Sequence, residues 1–506
     1  MVLSLAGKED SMNVTLEQVK KIASTGDYRR IPVCRELYAD RFTPIEVMRT
    51  LRAASRHCYL LESAEQNEKW GRYSFLGYSP LLELTCTDGR LCIRKGREEE
   101  EKTEEIRTTS HPREAIREIL EEYKSPRLEG LPPFTGGLVG YFSYEYIQYA
   151  EPGLKAGMPA ASDFRDVDLM LFDKVLVFDH YRQKLLLVAG VSTDDLENSY
   201  RRAEEELSEM ERLLNSGAKA AFRPLQMKED LKTYFSEEAY CSMVDRAKQY
   251  IREGDIFQVV LSNPMEAAAE GSLFDTYRVL RTANPSPYMF YFSSDDIEVA
   301  GASPETLVKL QDGVLHTFPL AGTRPRGETP EADRALEAEL LQDEKELAEH
   351  NMLVDLGRND LGKISRLSSV AVEKYCSVER FSHVMHLGST VRGILADGRD
   401  GTDAVDAILP AGTLSGAPKF RACEIIEKLE GRRRGIYGGA IGYLDFTGNM
   451  DTCISIRLAY KKNGKVCVQS GAGIVADSVP EKEFQECRNK AMAVIKALKE
   501  AEGGRI

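Results

Sequence analysis

The second half of the chain contains more strand-like runs than helices, and this imbalance most constrains the fold. Helical segments interrupt the runs, for example near residues 331 to 360, but they do not alternate with them as repeated βαβ units require. The strand-like runs are FQVVLSNPM, SPYMFYFSS, IEVAGAS, TLVKLQDGVLHTFP, GGAIGYLDF, TCISIRLAYKK and KVCVQSGAGIVA. We therefore predict an α+β fold with large antiparallel β-sheets and surrounding helices.

A stretch without periodicity separates the two halves of this 506-residue chain. Residues 218 to 234 show neither helical nor strand periodicity, and a capped helix begins after Ser236. We therefore predict an N-terminal region at 1–217, a linker at 218–235 and a second domain at 236–506.

Charge and composition exclude several classes of partner. The formal net charge of −14 disfavours nucleic acids and anionic membranes, which attract basic surfaces. The first residues, MVLSLAGKEDSMNVT, hold too short an apolar run for a signal peptide, and no later run has the length of a membrane span. The ten cysteines lack zinc-ligand spacing. We predict a cytoplasmic protein with reduced thiols and no nucleic-acid or membrane partner.

Two pairs of glutamates are spaced to share helix faces. Glu346 and Glu349 lie in a predicted acidic helix from Asp343 to Ile364, and Glu483 and Glu486 lie in a helix that Pro480 opens. Such a like-charge pair costs roughly 0.2 to 0.5 kcal/mol in a helix. Each pair alone is typical of a solvated surface. Together they could hold a hard cation such as Mg²⁺, which takes one or two carboxylates and keeps several waters.

Two glycine-containing turns could receive an anionic group. LPAGTLSGAPK, from Leu409 to Lys419, precedes a predicted helix, whose free N–H groups favour anions. QSGAGIVADS, from Gln469 to Ser478, permits close backbone approach. An ordinary capped turn explains the first segment equally well.

Eight sequence strings together resemble the chorismate-utilising enzymes. They occur in the family's order between Ser236 and about Leu498, and among these enzymes they are most similar to large, synthase subunits of anthranilate synthase. The strings are GASPETLVKL, PLAGTRPRG, DEKELAEHNMLVDLGRND, HVMHLGSTVRG, LPAGTLSGAPK, IYGGAIGYLDF, SIRLAY and SGAGIVADSVPEKEFQE.

The resemblance implies a chemical role for individual residues. It assigns a Mg²⁺ site to Glu349 and Glu486, with Glu346 and Glu483 as neighbouring carboxylates. It assigns the general acid for loss of the ring C4 hydroxyl to Glu305, a role that requires a carboxyl kept protonated.

The resemblance also assigns the residues around the substrate. His386 would serve the elimination of pyruvate, and Thr413 would lie beside the ring. The remaining implied substrate contacts are Gly322, Thr323, Tyr437, Arg457, Gly471, Ala472 and Gly473. Arg457 suits a carboxylate because its planar guanidinium can bind both oxygens.

Two positions distinguish among related reactions. Gln258 stands where water-adding relatives carry a lysine base, and Ala321 stands where aminodeoxychorismate synthases commonly carry a nucleophilic lysine. The resemblance therefore implies that ammonia attacks C2 of chorismate and that the products are anthranilate and pyruvate. Two alternatives stay open: an aminodeoxychorismate synthase, and a catalytically silent tryptophan-binding regulatory subunit.

The resemblance further implies feedback control and a partner. It makes 1–217 a regulatory region packed on the catalytic part, with inhibitory L-tryptophan bound by Leu61, Glu62, Ser63, Pro287, Tyr288 and Met289. No cysteine lies in a nucleophile elbow of the glutaminase type. A separate glutamine amidotransferase subunit is therefore expected to supply ammonia.

Overall fold

The computed structural model describes residues 12–63, 71–97, 102–156, 164–380 and 384–503. The α-helices in these ranges are α1 Leu16–Ala23, α2 Pro44–Ala54, α3 Pro112–Glu122, α4 Ile147–Ala150, α5 Leu196–Ser216, α6 Glu237–Arg252, α7 Phe274–Ala283, α8 Pro330–Gln342, α9 Glu344–Gly362, α10 Gly401–Ile408, α11 Lys419–Glu430 and α12 Pro480–Glu502.

The strands of the first part of the chain are β1 Arg30–Tyr38, β2 Cys58–Glu62, β3 Tyr73–Tyr78, β4 Leu82–Thr87, β5 Arg90–Lys95, β6 Thr103–Thr108, β7 Gly137–Phe142, β8 Val167–Phe172, β9 Val175–Asp179 and β10 Lys184–Ser192. The later strands are β11 Gln226–Met227, β12 Lys232–Thr233, β13 Gln258–Glu270, β14 Tyr288–Ser293, β15 Ile297–Ser303, β16 Thr306–Gln311, β17 Val314–Thr317, β18 Leu320–Pro325, β19 Ala371–Arg380, β20 Val384–Ile394, β21 Gly416–Ala417, β22 Ala440–Asp445, β23 Met450–Ile454, β24 Leu458–Lys462 and β25 Lys465–Ile474.

The strands form two large antiparallel sheets, which confirms the predicted α+β class. The first sheet has the order β1-β10-β9-β3-β2-β14-β15-β24-β25-β13-β11, and both β12 and β21 also pair with β13. The second has the order β18-β20-β17-β16-β23-β22-β7-β8-β4-β5-β6, and β19 also pairs with β20.

Alternating side chains place the main core between the two sheets. On β7, Val139 and Tyr141 join the same buried cluster as the first sheet, whereas Leu138 and Phe142 join the cluster beneath α3 and α10. This is the period of two expected for a strand that is covered on both faces. The second sheet is therefore packed against the first sheet on one side and against helices on the other.

Both sheets contain strands from both sides of the predicted linker. Glu62 of β2 pairs with Met289 of β14 in the first sheet, and Tyr141 of β7 pairs with Ile441 of β22 in the second. The two parts of the chain therefore share one framework. Their division into a regulatory and a catalytic part stays a prediction.

The helix expected near residues 331 to 360 is in fact two helices, which corrects that expectation. α8 ends at Gln342, and the carboxylate of Asp343 accepts hydrogen bonds from the N–H groups of Lys345 (3.1 Å) and Glu346 (3.2 Å). An aspartate at this position satisfies the free donors of a new first turn. The acidic helix that was predicted to begin at Asp343 is α9.

The structure also bears on the predictions about membrane spans and cysteines. Within the described ranges, no helix is both long and apolar enough to cross a bilayer. All ten cysteines are free thiols, in agreement with the predicted reduced state.

Candidate active site

The candidate site is centred where the chain passes twice between the sheets. Glu305 lies between β15 of the first sheet and β16 of the second, and Arg457 lies between β23 and β24, which return the chain to the first sheet. The Ile454 N–H donates to the Glu305 carbonyl (3.0 Å), and the Ala302 N–H donates to the Arg457 carbonyl (3.0 Å). These bonds hold the two crossings side by side.

The run TCISIRLAYKK was expected as one strand, and the structure divides it at this crossing. Arg457 has φ of +55°, a left-handed conformation that is uncommon for a residue with a Cβ. This conformation departs from extended strand geometry, and at this point β23 ends at Ile454 and β24 begins at Leu458. Strained backbone of this kind persists where the surroundings fix it, often at functional sites.

Glu305 and Thr413 form a hydrogen-bonded pair. The Thr413 hydroxyl, in a short 3-10 turn at Gly412–Leu414, donates to Glu305 Oε1 at 3.0 Å. Burial raises the pKa of the Glu305 carboxyl to about 7, although the Thr413 hydrogen bond and the charge of Lys490 both act to lower it. A carboxyl with this pKa can hold and release a proton near neutral pH.

His386 on β20 contacts two of the predicted substrate-binding residues. Its Nδ1 is 2.9 Å from the Gly322 carbonyl oxygen and 3.1 Å from Thr323 Oγ1. The carbonyl can only accept, so Nδ1 carries the proton and the lone pair of the neutral ring lies on Nε2. Burial lowers the pKa of His386, and the nearby charge of Arg457 lowers it further. The ring is therefore suited to act as a base at neutral pH.

Arg457 is close to several of these groups. Its Nη1 donates to the backbone carbonyl of Lys490 on α12. Burial lowers the pKa of Arg457, while Tyr437 and Glu486 raise it through their charge. The guanidinium remains cationic because arginine does not deprotonate in proteins. The resulting buried positive charge lies beside His386 and favours an anionic ligand.

The backbone from Gly471 to Gly473 on β25 forms a close-packed floor. A Cβ at Gly471 would lie 2.9 Å from the Tyr437 hydroxyl, and a Cβ at Gly473 would lie 2.8 Å from the amide nitrogen of Gln258. Ala472 between them is fully buried. A side chain at Gly471 would also meet the Leu261 carbonyl oxygen at 2.7 Å, and one at Gly473 would displace the Gln258 amide.

Gln258 connects this floor to the acidic helix, a link that no motif indicated. Its amide nitrogen donates to Glu349 Oε1 at 3.2 Å, and its Oε1 is buried without a partner among the described residues. The sequence identified Gln258 only as a position that lacks lysine. Its contact with Glu349 depends on how β13 and α9 meet in three dimensions.

The four predicted metal-binding carboxylates lie on α9 and α12, but no three of them bring ligand atoms within 4.8 Å of one another. Burial raises the pKa of Glu346 and of Glu483, and the neighbouring charges of Glu349 and Glu486 respectively raise it further. Glu486 Oε1 is 2.7 Å from Lys490 Nζ.

The distances between these carboxylates do not indicate a metal site, whereas the chemistry of their donor atoms is compatible with Mg²⁺. In the described part of the chain, only His57, Glu83 and Asp295 form a group of three ligand atoms within 4.8 Å of one another. The predicted carboxylates nevertheless fit Mg²⁺ chemically, since all their donor atoms are oxygens. Glu346 and Glu483 also carry like-charge repulsion that a cation would relieve.

The six predicted tryptophan-binding residues surround one cavity between the two sheets. The cavity has a volume of about 320 Å³ and is also lined by Arg72, Lys309, Tyr443 and Asp451. Ser63 Oγ is buried without a hydrogen-bond partner among the described residues. The structure therefore brings together segments of β2 and β14 that are more than 200 positions apart in the sequence.

Hydrogen bonds from a cavity residue reach the two strands next to Glu305. The Tyr288 hydroxyl donates to Asp451 Oδ1 at 2.8 Å and lies 2.8 Å from Thr306 Oγ1. Thr306 directly follows Glu305, and Asp451 lies on β23, three residues before the Ile454 N–H that binds the Glu305 carbonyl. Sequence analysis did not identify Thr306 or Asp451. Thr306 lies in the GASPETLVKL string, in which only Glu305 was assigned a role, and Asp451 lies in none of the eight strings.

Comparisons with known proteins place the chain in one family. The family model described as chorismate binding enzyme matches residues 56–496. Anthranilate synthase component 1 of Acetivibrio thermocellus is 45% identical over 500 residues, which cover 96% of this chain and 98% of that protein.

Solved structures agree with this assignment. The crystal structure of anthranilate synthase component I from Streptococcus pneumoniae superposes with a TM-score of 0.74 at 38% identity, covering 85% of this chain and 93% of that one. The menaquinone-specific isochorismate synthase of Escherichia coli shares the fold, with a TM-score of 0.67 at 19% identity over 96% of this chain and 98% of its own. The chain therefore belongs to the chorismate-binding enzymes and, among them, to the anthranilate synthase component 1 proteins.

Proposed function

We propose that this chain converts chorismate and ammonia into anthranilate and pyruvate in a Mg²⁺-dependent reaction. The observation that carries the proposal is the Glu305–Thr413 pair, because the buried carboxyl has a pKa of about 7 and can hold a proton near neutral pH. Protonated Glu305 would donate its proton to the C4 hydroxyl, which leaves as water while ammonia adds at C2. Arg457 would bind a substrate carboxylate through its planar guanidinium.

His386 would act in the second half of the reaction. Elimination of pyruvate from the aminated intermediate removes the ring proton at C2 and breaks the C–O bond between the ring and the enolpyruvyl group, which makes the ring aromatic. The neutral imidazole has its Nδ1 proton directed to the Gly322 carbonyl, so Nε2 has the lone pair that a base requires. The lowered pKa keeps the ring neutral at the pH of the reaction.

Glu349 and Glu486 would hold Mg²⁺, with Glu346 and Glu483 beside them. When bound, the ion supplies positive charge that orients and neutralises a substrate carboxylate. Lys490 Nζ pairs with Glu486 Oε1 at 2.7 Å, so the other oxygen of Glu486 would be the one to face the ion while that pair is kept. Gln258 would orient Glu349 by donating to one of its oxygens.

A glutamine amidotransferase subunit would supply the ammonia. Relatives of this chain are named component 1, which implies a second component. The chain alone is then expected to use free ammonia and to release no glutamate from glutamine. Release of glutamate by the purified chain would refute this part of the proposal.

One assay tests the catalytic proposal. The purified chain is mixed with chorismate, an ammonium salt and Mg²⁺, and the products are separated and identified. Fluorescent anthranilate with an equal amount of pyruvate is the expected result. A para-substituted aminated product would instead support an aminodeoxychorismate synthase, and no turnover at all would support a silent regulatory subunit.

The cavity between the sheets would bind inhibitory tryptophan. Arg72 and Lys309 can bind the carboxylate of a free amino acid, and Asp451 can bind its ammonium group. Apolar surface from Met289 and Tyr443 would contact the indole ring. Tryptophan can inhibit only if it binds one state of the enzyme more tightly than another. The hydrogen bond between Tyr288 and Thr306 would carry that difference towards Glu305.

Replacing Ser63 with arginine is expected to weaken tryptophan inhibition without abolishing catalysis. The long cationic side chain would fill the cavity beside the β2–β14 pair, so the tryptophan concentration for half-inhibition should rise by at least about 10-fold. The measurement is anthranilate formation at increasing tryptophan concentration.

Ser216→Arg is the matched control for this prediction. Ser216 is exposed at the end of α5, so the same substitution there should leave inhibition unchanged. Inhibition of the Ser63 variant at the wild-type tryptophan concentration would contradict the assignment of the cavity.

A further inference from the structure

A buried ion pair lies behind the segments that form the candidate active site. Arg434 Nη2 and Glu430 Oε1 are 2.6 Å apart, and each side chain is 1% exposed. Burying two charges is costly, and such a pair often adds little stability compared with apolar residues. The other contacts of the pair therefore indicate what it does.

The guanidinium of Arg434 binds two backbone carbonyls from different parts of the site. Its Nη1 donates to the Leu414 carbonyl and its Nη2 to the Val260 carbonyl, each at 2.7 Å. Leu414 directly follows Thr413, whose hydroxyl binds Glu305. Val260 on β13 is the strand partner of Gly473. One side chain thus joins the loop that carries Thr413 to the floor of the site.

Glu430 extends these contacts along β13. Its Oε1 accepts hydrogen bonds from the Ser262 N–H at 2.7 Å and from the Ser262 hydroxyl at 3.0 Å. Ser262 is the strand partner of Gly471, and the Gln469 amide donates to the Ser262 hydroxyl at 2.8 Å. The ion pair therefore holds β13 opposite both glycines of the floor.

Two tyrosine rings enclose the same guanidinium. The carbon at its centre lies 4.6 Å from the Tyr144 ring centroid and 5.9 Å from that of Tyr437, distances that allow cation–π attraction. The Tyr437 hydroxyl lies over Gly471. Arg434 thus contacts the Thr413 loop, the strand opposite Gly473 and a predicted substrate-binding tyrosine.

We infer that Arg434 is a positioning residue, which fixes the Thr413 loop relative to the Gly471–Gly473 floor through its planar set of N–H donors. This inference rests on the proposed function. Lysine cannot replace arginine here, because an ammonium group lacks a planar fork that reaches two carbonyls and a carboxylate together. A displacement of the reacting groups by 1 Å can cost about 100-fold in rate.

Arg434→Lys tests the inference through a pH profile as well as a rate. We expect kcat for anthranilate formation to fall by about 10- to 100-fold. The Thr413 hydrogen bond stabilises the Glu305 carboxylate, so its loss should raise the pKa of Glu305 and move the alkaline fall in activity to higher pH. Thr413→Val should reproduce this shift, because it removes the hydroxyl itself. A residue needed only for the fold would lower the amount of active enzyme without moving the profile.

Arg165→Lys is the matched control, and Glu430→Gln is a second variant of the pair. Arg165 binds Asp168 Oδ2 at 2.9 Å on β8, away from the site. Its variant should keep the wild-type kcat and pH profile. Glu430→Gln keeps the shape of the side chain and should shift the profile in the same direction as Arg434→Lys.

Three outcomes separate the possible failures. A folded Arg434→Lys or Glu430→Gln enzyme with unchanged kcat and pH profile overturns the inference. Failure of both variants to fold, when Arg165→Lys folds, also overturns it, because the pair would then serve the fold alone. If the wild-type chain forms no anthranilate, the proposed function fails instead.

Discussion

Replacing Glu305 with glutamine is expected to lower the rate of chorismate amination by about 100- to 10,000-fold, the range attributed to a positioned proton donor. Glutamine has nearly the same shape and can still accept the Thr413 hydrogen bond, but it cannot give a proton to the leaving hydroxyl. The measurement is anthranilate formation under single-turnover conditions. The variant should still convert a supplied aminated intermediate into anthranilate, because that step depends on His386.

The wild-type pH profile provides an independent measure of the same group. Its pKa of about 7 means that the proton-donating form dominates below pH 7 and disappears as the pH rises through 7. At a fixed concentration of free ammonia, amination should therefore decline on the alkaline side of pH 7. The variant should lose this decline, since glutamine does not titrate.

The Glu305 variant should also be well folded. A carboxyl whose folded-state pKa lies above its ordinary value of 4.5 destabilises the fold once the pH exceeds that value, because the unfolded chain ionises more readily. Glutamine removes this penalty. The melting temperature at pH 8 should therefore equal or exceed that of the wild type, and a large decrease would point to lost packing.

Glu427→Gln is the matched control for Glu305→Gln. Burial also raises the pKa of Glu427 to about 7, but this residue lies on α11 rather than beside Thr413. The same substitution there should leave amination unchanged. Equal losses of amination in both variants would mean that the raised pKa of Glu305 reflects burial and has no catalytic role. Normal amination by the Glu305 variant would show that Glu305 is not the general acid.

Local sequence patterns were sufficient for the fold class and for the acidic helix. Period-two runs and an excess of strands over helices predicted antiparallel sheets, and the sheets confirm this. The acidic helix predicted from Asp343 is α9, but the helix break at Asp343, whose carboxylate caps α9, was not predicted. These features depend on neighbouring residues, so a single sequence contains the information that determines them.

The assembly of the site could not be derived from local patterns. Glu305 and Arg457 meet because two crossings between sheets lie side by side, and that arrangement depends on strand register over 150 positions. The resemblance supplied the identity of these residues without their geometry. Neither the local sequence patterns nor the resemblance indicated the contacts of Gln258 with Glu349 and of Arg434 with two carbonyls, because each contact joins separate elements.

The proposed metal site leads to the second large effect, which concerns Glu349. Glu349→Gln is expected to lower turnover by at least about 100-fold, because loss of even an outer-shell partner of a metal costs 10- to 100-fold in metal affinity. The side chain keeps its size and can still accept the Gln258 hydrogen bond, so the fold should be unchanged. The affinity for Mn²⁺, measured by electron paramagnetic resonance with chorismate present, should fall together with turnover.

Glu344→Gln separates a metal ligand from an acidic surface residue. Glu344 is exposed in the first turn of the same helix, five positions before Glu349. Glu344→Gln therefore changes the net charge of α9 by the same amount as Glu349→Gln. If α9 only attracted cations through its net charge, both variants would lose Mn²⁺ affinity by similar, small factors that salt would suppress. A ligand role requires a large loss for Glu349 alone at every ionic strength. Near-normal turnover of Glu349→Gln at saturating Mg²⁺ would therefore eliminate this carboxylate from the metal site.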